Sequence, residues 1–268
     1  MKPIEKALAK ARHEKSRPSH DYGQVQNFTR IEIPDQSAEG DDASEVSADQ
    51  IVALKFDDPI ANLFRVLRSQ VLQKLGSMGR RSVGITSARQ GEGKTFTAVN
   101  LAASIALSQK QPVLLVDLDL KRPNVHNFFQ TDQSPGLTDC VSGAARMLDC
   151  IRPTGINGLE VLSAGGKIQN SSEALGSPEF ARGFSELREA SPLLFFVFDL
   201  PPVLVGDDVL AVSPELDAIL LVIEEGRTKL GEIQRVLDLI PRDKLVGTVL
   251  NKSRGNNPFP YSPYYGPE

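Results

Sequence analysis

From about residue 51 onward, short continuous apolar runs alternate with stretches in which apolar residues recur every three or four positions. The runs at 82–86, 112–117, 159–162, 194–199, 218–223 and 245–250 have the length of buried strands. Between them the helical period predicts helices over 94–108, 172–188 and 229–240. A strand that is apolar throughout is buried on both faces, and a parallel sheet covered by helices provides that burial. The pattern therefore predicts an α/β fold with a mostly parallel central sheet and helices on both faces. Right-handed crossovers then bring the C-terminal ends of the strands to one edge, where ligands of such sheets bind.

The flanks read differently. Residues 1–18 are basic (Lys2, Lys6, Lys10, Arg12, Lys15, Arg17), with Ile4, Ala7, Leu8 and Ala11 spaced as one face of a short amphipathic helix. That helix either docks on a partner or membrane surface or has no partner at all. Residues 19–49 are polar and acidic, too poor in bulky side chains to offset their ordering entropy, and are expected to be a disordered linker. The last residues, NNPFPYSPYYGPE, continue neither a helix nor a sheet interior and are expected to form an exposed tail. The expected organisation is thus residues 1–50 as helix and linker, 51–255 as the α/β domain, and 256–268 as the tail.

Composition narrows the function. A net charge of −4 over 268 residues gives no concentrated basic surface, so no nucleic-acid partner is expected. Only two cysteines occur, Cys140 and Cys150, as suits a reducing compartment and buried apolar roles. The opening residues lack a signal-peptide core, and no run approaches the ~20 apolar residues of a membrane span. A cytoplasmic chain is expected.

The run 82–86 leads into SARQGEGKT and then into a predicted helix, so Ala88 to Thr95 reads A-x-x-x-x-G-K-T in a strand–loop–helix setting. Backbone N–H groups of such a loop, together with the helix N-terminus, hold phosphates. Gly91 and Gly93 allow close backbone approach, Lys94 reaches the β- and γ-phosphates, and the Thr95 hydroxyl ligates Mg2+. The expected ATP contacts run over Gly91, Glu92, Gly93, Lys94, Thr95 and Phe96. Two other apolar strands end in acids, VLLVDLDLKRP and LLFFVFDLPPVL, at the same sheet edge. Asp117, Asp119 and Asp199 are therefore candidates to hold Mg2+ or to take a proton from an attacking hydroxyl. No His/Cys cluster accompanies them, and His126 reads as structural. Three of the four tyrosines, Tyr261, Tyr264 and Tyr265, fall in the last eight residues. An exposed Pro/Tyr tail is either a partner-binding motif or a phosphoacceptor able to reach a nucleotide site.

Together, GEGKTFTAVNLAASIA, VLLVDLDLKRPNVHNFF, FDLPPVL and the tyrosine-rich terminus resemble the bacterial tyrosine autokinases (BY-kinases) of exopolysaccharide and capsule synthesis, most nearly the free-standing, exosortase-associated type. The resemblance covers about residues 51–268 and implies a P-loop NTPase fold. By that resemblance Gly93, Lys94 and Thr95 form the Walker A site, and Asp117 is the base for the tyrosine hydroxyl. Asp199, with Asp119 and Thr95, holds Mg2+, while Asn251 contacts adenine. Lys94, Asp117, Asp119 and Asp199 are the implied catalytic set, and Tyr261, Tyr264 and Tyr265 the implied phosphoacceptors, modified in trans within a homo-oligomer. The implied partner is a membrane-embedded polysaccharide co-polymerase, or chain-length determinant, which would hold the kinase at the inner face of the plasma membrane.

The chain departs from the family pattern in places. Lys121 stands where the second acidic motif usually has Arg, with Arg122 next to it, and Asn62 replaces the Glu expected ahead of Arg65 and Arg68 in the oligomerisation helix. Arg89 occupies the place of the lysine that reaches across the dimer in partitioning ATPases. That is the basis of the alternative, an ATPase switch that recruits partners without phosphorylating them.

Overall fold

The computed structural model describes residues 29–34, 50–108 and 111–254. All six apolar runs form strands: β2 (Ser82–Ser87), β3 (Val113–Asp117), β5 (Leu159–Leu162), β6 (Phe195–Asp199), β7 (Ile219–Glu224) and β8 (Leu245–Ser253). Two further strands, β1 (Thr29–Pro34) and β4 (Ile151–Pro153), extend the sheet to eight in the order β1-β8-β7-β2-β6-β3-β5-β4. Every neighbouring pair is parallel except β4 with β5.

Every residue of β2, β3 and β6 is buried, as their unbroken apolar sequences require. The two-residue strand period sends alternate side chains to opposite cores. Val113 and Leu115 join one core, beneath α1 (Pro59–Gly76) and α2 (Lys94–Leu107). Leu114 and Val116 join the other, where Phe184 of α6 (Pro178–Ala190) sets its ring edge-on to Phe196 and Phe198, at 5.0 and 5.2 Å between centroids. Val236 of α8 (Leu230–Leu239) packs in that same core. Four short helices lie in the connections: α3 (Val125–Phe129), α4 (Leu137–Val141), α5 (Ser171–Leu175) and α7 (Asp208–Val212). The start of α1 is fixed by Asp58, whose Oδ1 accepts from the Ile60 N–H at 2.7 Å, followed by Pro59 in the first turn.

Two expectations need correction. The helix expected over 172–188 is two helices, α5 and α6, because Ser177 caps a new start and Pro178 follows it. The Ser177 hydroxyl accepts from the Phe180 N–H at 3.1 Å, and a proline lacks the N–H that would continue the preceding helix. Within the span expected to be a disordered linker, residues 29–34 form β1, parallel to β8 with Thr29 opposite Gly247 and Ile31 opposite Val249. The sequence TRIEIP alternates β-branched with charged residues, and its backbone supplies partners for the edge that β8 would otherwise leave open. The expected N-terminal helix and the tyrosine tail lie outside the described residues.

Candidate functional site: a phosphate loop facing three acids

The sheet order decides which ends meet. β6 lies between β2 and β3, with Ile85 of β2 opposite Asp199 and Asp117 of β3 also opposite Asp199. The phosphate loop therefore leaves β2 beside the two strands that end in acids. Lys94, the first residue of α2, is buried and turns its ammonium into this group. Its Nζ lies 2.9 Å from Asp119 Oδ2 and 3.3 Å from Asp199 Oδ1. The Thr95 hydroxyl donates to Asp199 Oδ2 at 2.7 Å. Asp117 is fully buried and holds backbone: its Oδ1 accepts from the Asp119 N–H at 3.1 Å, and its Oδ2 from the N–H groups of Asn124 and Val125, both at 3.0 Å.

Burial pushes the Asp117 carboxyl up to about 7, and the nearby Asp199 charge adds to that, while Lys94 and the two N–H donors work against it. Asp199 is also raised, first by burial, with Lys94 and Thr95 opposing. Burial alone would lower Lys94, but the charges of Asp199 and then Asp119 outweigh it and hold the ammonium above its ordinary value. Three carboxylates against one ammonium leave an excess of two negative charges when all are ionised. A divalent cation would cancel that excess. Together with the Thr95 hydroxyl these are hard oxygen donors, which suit Mg2+. Among the described residues no group of three or more His, Cys, Asp or Glu side chains could hold a metal ion unaided. Mg2+ needs no such cage, because one or two carboxylates hold it together with substrate phosphates.

The loop itself is built for close approach. Gly91 and Gly93 have φ of +80° and +92°, and a Cβ on Gly93 would stand 1.9 Å from Asn251 Nδ2. Asn251, near the end of β8 and expected to contact adenine, here donates to the Glu92 carbonyl at 2.9 Å and so braces the phosphate loop. The Glu92 side chain is fully buried and points into the protein, accepting from the Arg89 N–H at 2.9 Å and from the Thr228 hydroxyl. Only its backbone remains to contribute to a phosphate cradle. The Phe96 ring packs edge-on to Phe64 of α1 at 5.8 Å, so its side chain belongs to the core.

Arg89, half exposed, is ion-paired with the buried Glu232 of α8, so this candidate for a reach across a dimer is engaged within its own chain. The Lys229 N–H first, then Arg89, hold the Glu232 carboxyl below its usual range, against burial. Glu232 and Thr228 escaped the sequence reading because their partners lie 143 and 136 residues away. The one local signal was a Glu three residues into an amphipathic helix. Lys121 pairs with the buried Asp208 at 2.8 Å, and Asp208 also accepts from the Ser171 hydroxyl. The lysine in the family's arginine position therefore ties the acid-bearing loop to α7 and α5. Arg122 caps locally, its N–H donating to Asp119 Oδ1 at 3.1 Å. In α1, Arg65 bonds to Asn62 and to the Phe56 carbonyl, the latter at 2.8 Å. Cys140 and Cys150 are buried free thiols 3.3 Å apart, and burial pushes the Cys140 thiol up to about 12, consistent with unreactive packing residues.

Residues 83–261 match the CobQ/CobB/MinD/ParA nucleotide binding domain family. The chain is 31% identical over 207 residues to the tyrosine-protein kinase YwqD of Bacillus subtilis, covering 76% of this chain and 85% of YwqD. It is also 31% identical over 204 residues to the tyrosine-protein kinase Ptk of Acinetobacter johnsonii, covering 75% of this chain but only 27% of that longer relative. Among solved structures, the chimerical protein CapA2B2 superposes with a TM-score of 0.73 at 26% identity, over 84% of this chain and 95% of the other. The chain belongs to the CobQ/CobB/MinD/ParA nucleotide-binding family and, within it, to the bacterial P-loop tyrosine-protein kinases.

Proposed function

We propose that this chain is an ATP-dependent protein-tyrosine autokinase that phosphorylates its own C-terminal tyrosines, Tyr261, Tyr264 and Tyr265, and so regulates exopolysaccharide polymerisation or export. The observation that carries the reading is the convergence of Lys94, Thr95, Asp119 and Asp199 on one buried site beside the phosphate loop. A relative named as a succinoglycan biosynthesis transport protein, ExoP of Rhizobium meliloti, supports the polysaccharide setting.

In this reading the loop N–H groups and Lys94 bind the ATP phosphates, and Thr95, Asp119 and Asp199 hold Mg2+. When bound, Mg2+ neutralises charge that develops on the transferring phosphoryl group. Lys94 exchanges its carboxylate partners for phosphate oxygens and keeps its proton throughout, since both environments favour the ammonium. Asp117 fixes the backbone from 119 to 125 and so aims Asp119. The resemblance also assigns it the tyrosine hydroxyl proton. Asp117 is fully buried here and accepts three backbone N–H bonds, so that step requires its surroundings to rearrange. Asn251 and the buried face of Glu92 hold the loop in its phosphate-accepting shape. The tail of a neighbouring copy presents the tyrosine, so the working unit is a homo-oligomer. Its partner is a membrane-embedded polysaccharide co-polymerase, which places the kinase at the inner face of the plasma membrane.

Replacing Tyr261, Tyr264 and Tyr265 together by Phe tests the reading with γ-labelled ATP. Label transfer to the chain is expected to vanish while nucleotide binding stays unchanged. Undiminished labelling would overturn the tail assignment, and ATP hydrolysis without any protein labelling in the unmodified chain would favour the ATPase switch.

A further inference from the structure

The opposite end of the sheet carries a cavity of about 620 Å³. It opens where β2 and β6 begin and where α1 and α2 end, with Gly76, Ser108 and Phe195 in its wall. Because β2 and β6 are parallel, this is the sheet edge facing away from Lys94 and the three acids. Arg68, Arg80 and Arg81 line it, and no Asp or Glu appears among its described lining residues. Among the described residues none of these three arginines forms an ion pair with a carboxylate.

Arg68 donates to the Ser104 carbonyl at 2.9 Å and Arg80 to the Asp243 carbonyl at 3.0 Å, whereas a guanidinium carries five N–H donors. Helix ends oppose an anion here, since the C-termini of α1 and α2 each bring about −0.5 of a charge. Three guanidinium charges outweigh the pair, while the Asp217 carboxylate, which accepts from the Arg81 backbone N–H at 3.0 Å, is itself paired with Arg188. Burial, and then the charge of Arg65, lower the pKa of Arg68, as expected of a cation that lacks a counter-charge.

We propose that this cavity is a second anion site, separate from the phosphate loop, that takes a small phosphate-bearing organic molecule. Planar guanidinium forks bind phosphoryl oxygens in pairs, which a lysine cannot do. The volume lies within the range of about 300–1,000 Å³ typical of small-molecule sites, so a bare phosphate would leave most of it unfilled. Leu72 and Phe195 supply an apolar wall for the rest of the ligand.

Inorganic pyrophosphate serves as the probe, in equilibrium dialysis with the full chain. The unmodified protein is expected to show two binding sites. Lys94→Met should keep the arginine site and lose the phosphate-loop site. Arg80→Gln/Arg81→Gln should do the reverse, with at least tenfold weaker binding at the site it removes. Arg81→Gln alone guards against a folding defect, because the Arg81 side chain is exposed and the hydrogen bond to Asp217 comes from its backbone N–H. Arg81→Lys should weaken binding by less than Arg81→Gln. Two intact sites in the folded double variant, or loss of all binding in folded Lys94→Met, would overturn the proposal. The phosphate-loop reading fails separately, by both sites surviving in Lys94→Met.

Discussion

The two edges of this sheet treat charge in opposite ways. At the C-terminal edge, Lys94, Asp117, Asp119 and Asp199 are buried and engaged with one another or with backbone N–H groups. At the N-terminal edge, Arg68, Arg80 and Arg81 border a cavity without a carboxylate among its described lining residues. A charge removed from water must find partners or shift its pKa, and the acid cluster does both. At the open edge Arg68 and Arg80 meet backbone carbonyls and no carboxylate, and partial burial lowers the pKa of Arg68 with no opposite charge to offset it. The closed edge is organised around an internal ion pair that a bound nucleotide and metal must rearrange, and the open edge is available to a ligand as it stands.

Removing the ammonium is the largest perturbation of that contrast. Lys94→Met leaves three buried carboxylates without a cation, a change of the kind that costs about 3–5 kcal/mol. The deficit should be greatest above pH 7 and shrink as pH falls. The folded Asp117 carboxyl titrates near 7, against an ordinary 3.8, so between these values the folded chain binds a proton that the unfolded chain lacks. Its contribution to stability is therefore complete below the ordinary value and is lost as pH rises through the folded one. Thermal melts from pH 6 to 8 check this. A deficit independent of pH would mean that the acids do not share the burden. Arg81→Gln, at the open edge, should change stability by no more than about 0.5 kcal/mol.

Gly93→Ala should be next in size. Its φ of +92° and the 1.9 Å approach to Asn251 Nδ2 leave no room for a Cβ. Strain of about 1–3 kcal/mol would weaken ATP binding by roughly tenfold or more, measurable by titration calorimetry. Glu232→Gln should be the mildest of these changes. It loosens Arg89 and the Lys229 turn without touching Lys94, so KM for ATP should rise a few-fold with kcat unchanged. A fall in kcat at constant KM would place Arg89 in the chemistry instead.

Much of the closed edge was legible in the sequence because each of its parts is local. Phosphate loop, glycines and strand-end acids each sit in a short run, and parallel topology brings the runs together. The open edge had no such signature, since Arg68 on α1 and Arg80–Arg81 before β2 meet only through the fold. β4 escaped because three residues ending in proline carry no periodic signal. β1 escaped because a strand added at an edge draws its stability from the partner backbone, which composition does not report. The in-chain partner of Arg89 was invisible for the same reason as that of Lys121: both carboxylates come from distant helices.

The measurement closest to the central claim is intact-mass and C-terminal-peptide mass spectrometry after incubation with Mg-ATP, with Lys94→Met run beside the unmodified chain and the cytoplasmic tail of a candidate co-polymerase present. Tail autophosphorylation requires stepwise phosphate additions on Tyr261, Tyr264 or Tyr265 in the unmodified chain and none in the variant. Equal phosphorylation in both, or ATP consumption with no phosphotyrosine in either, would contradict it.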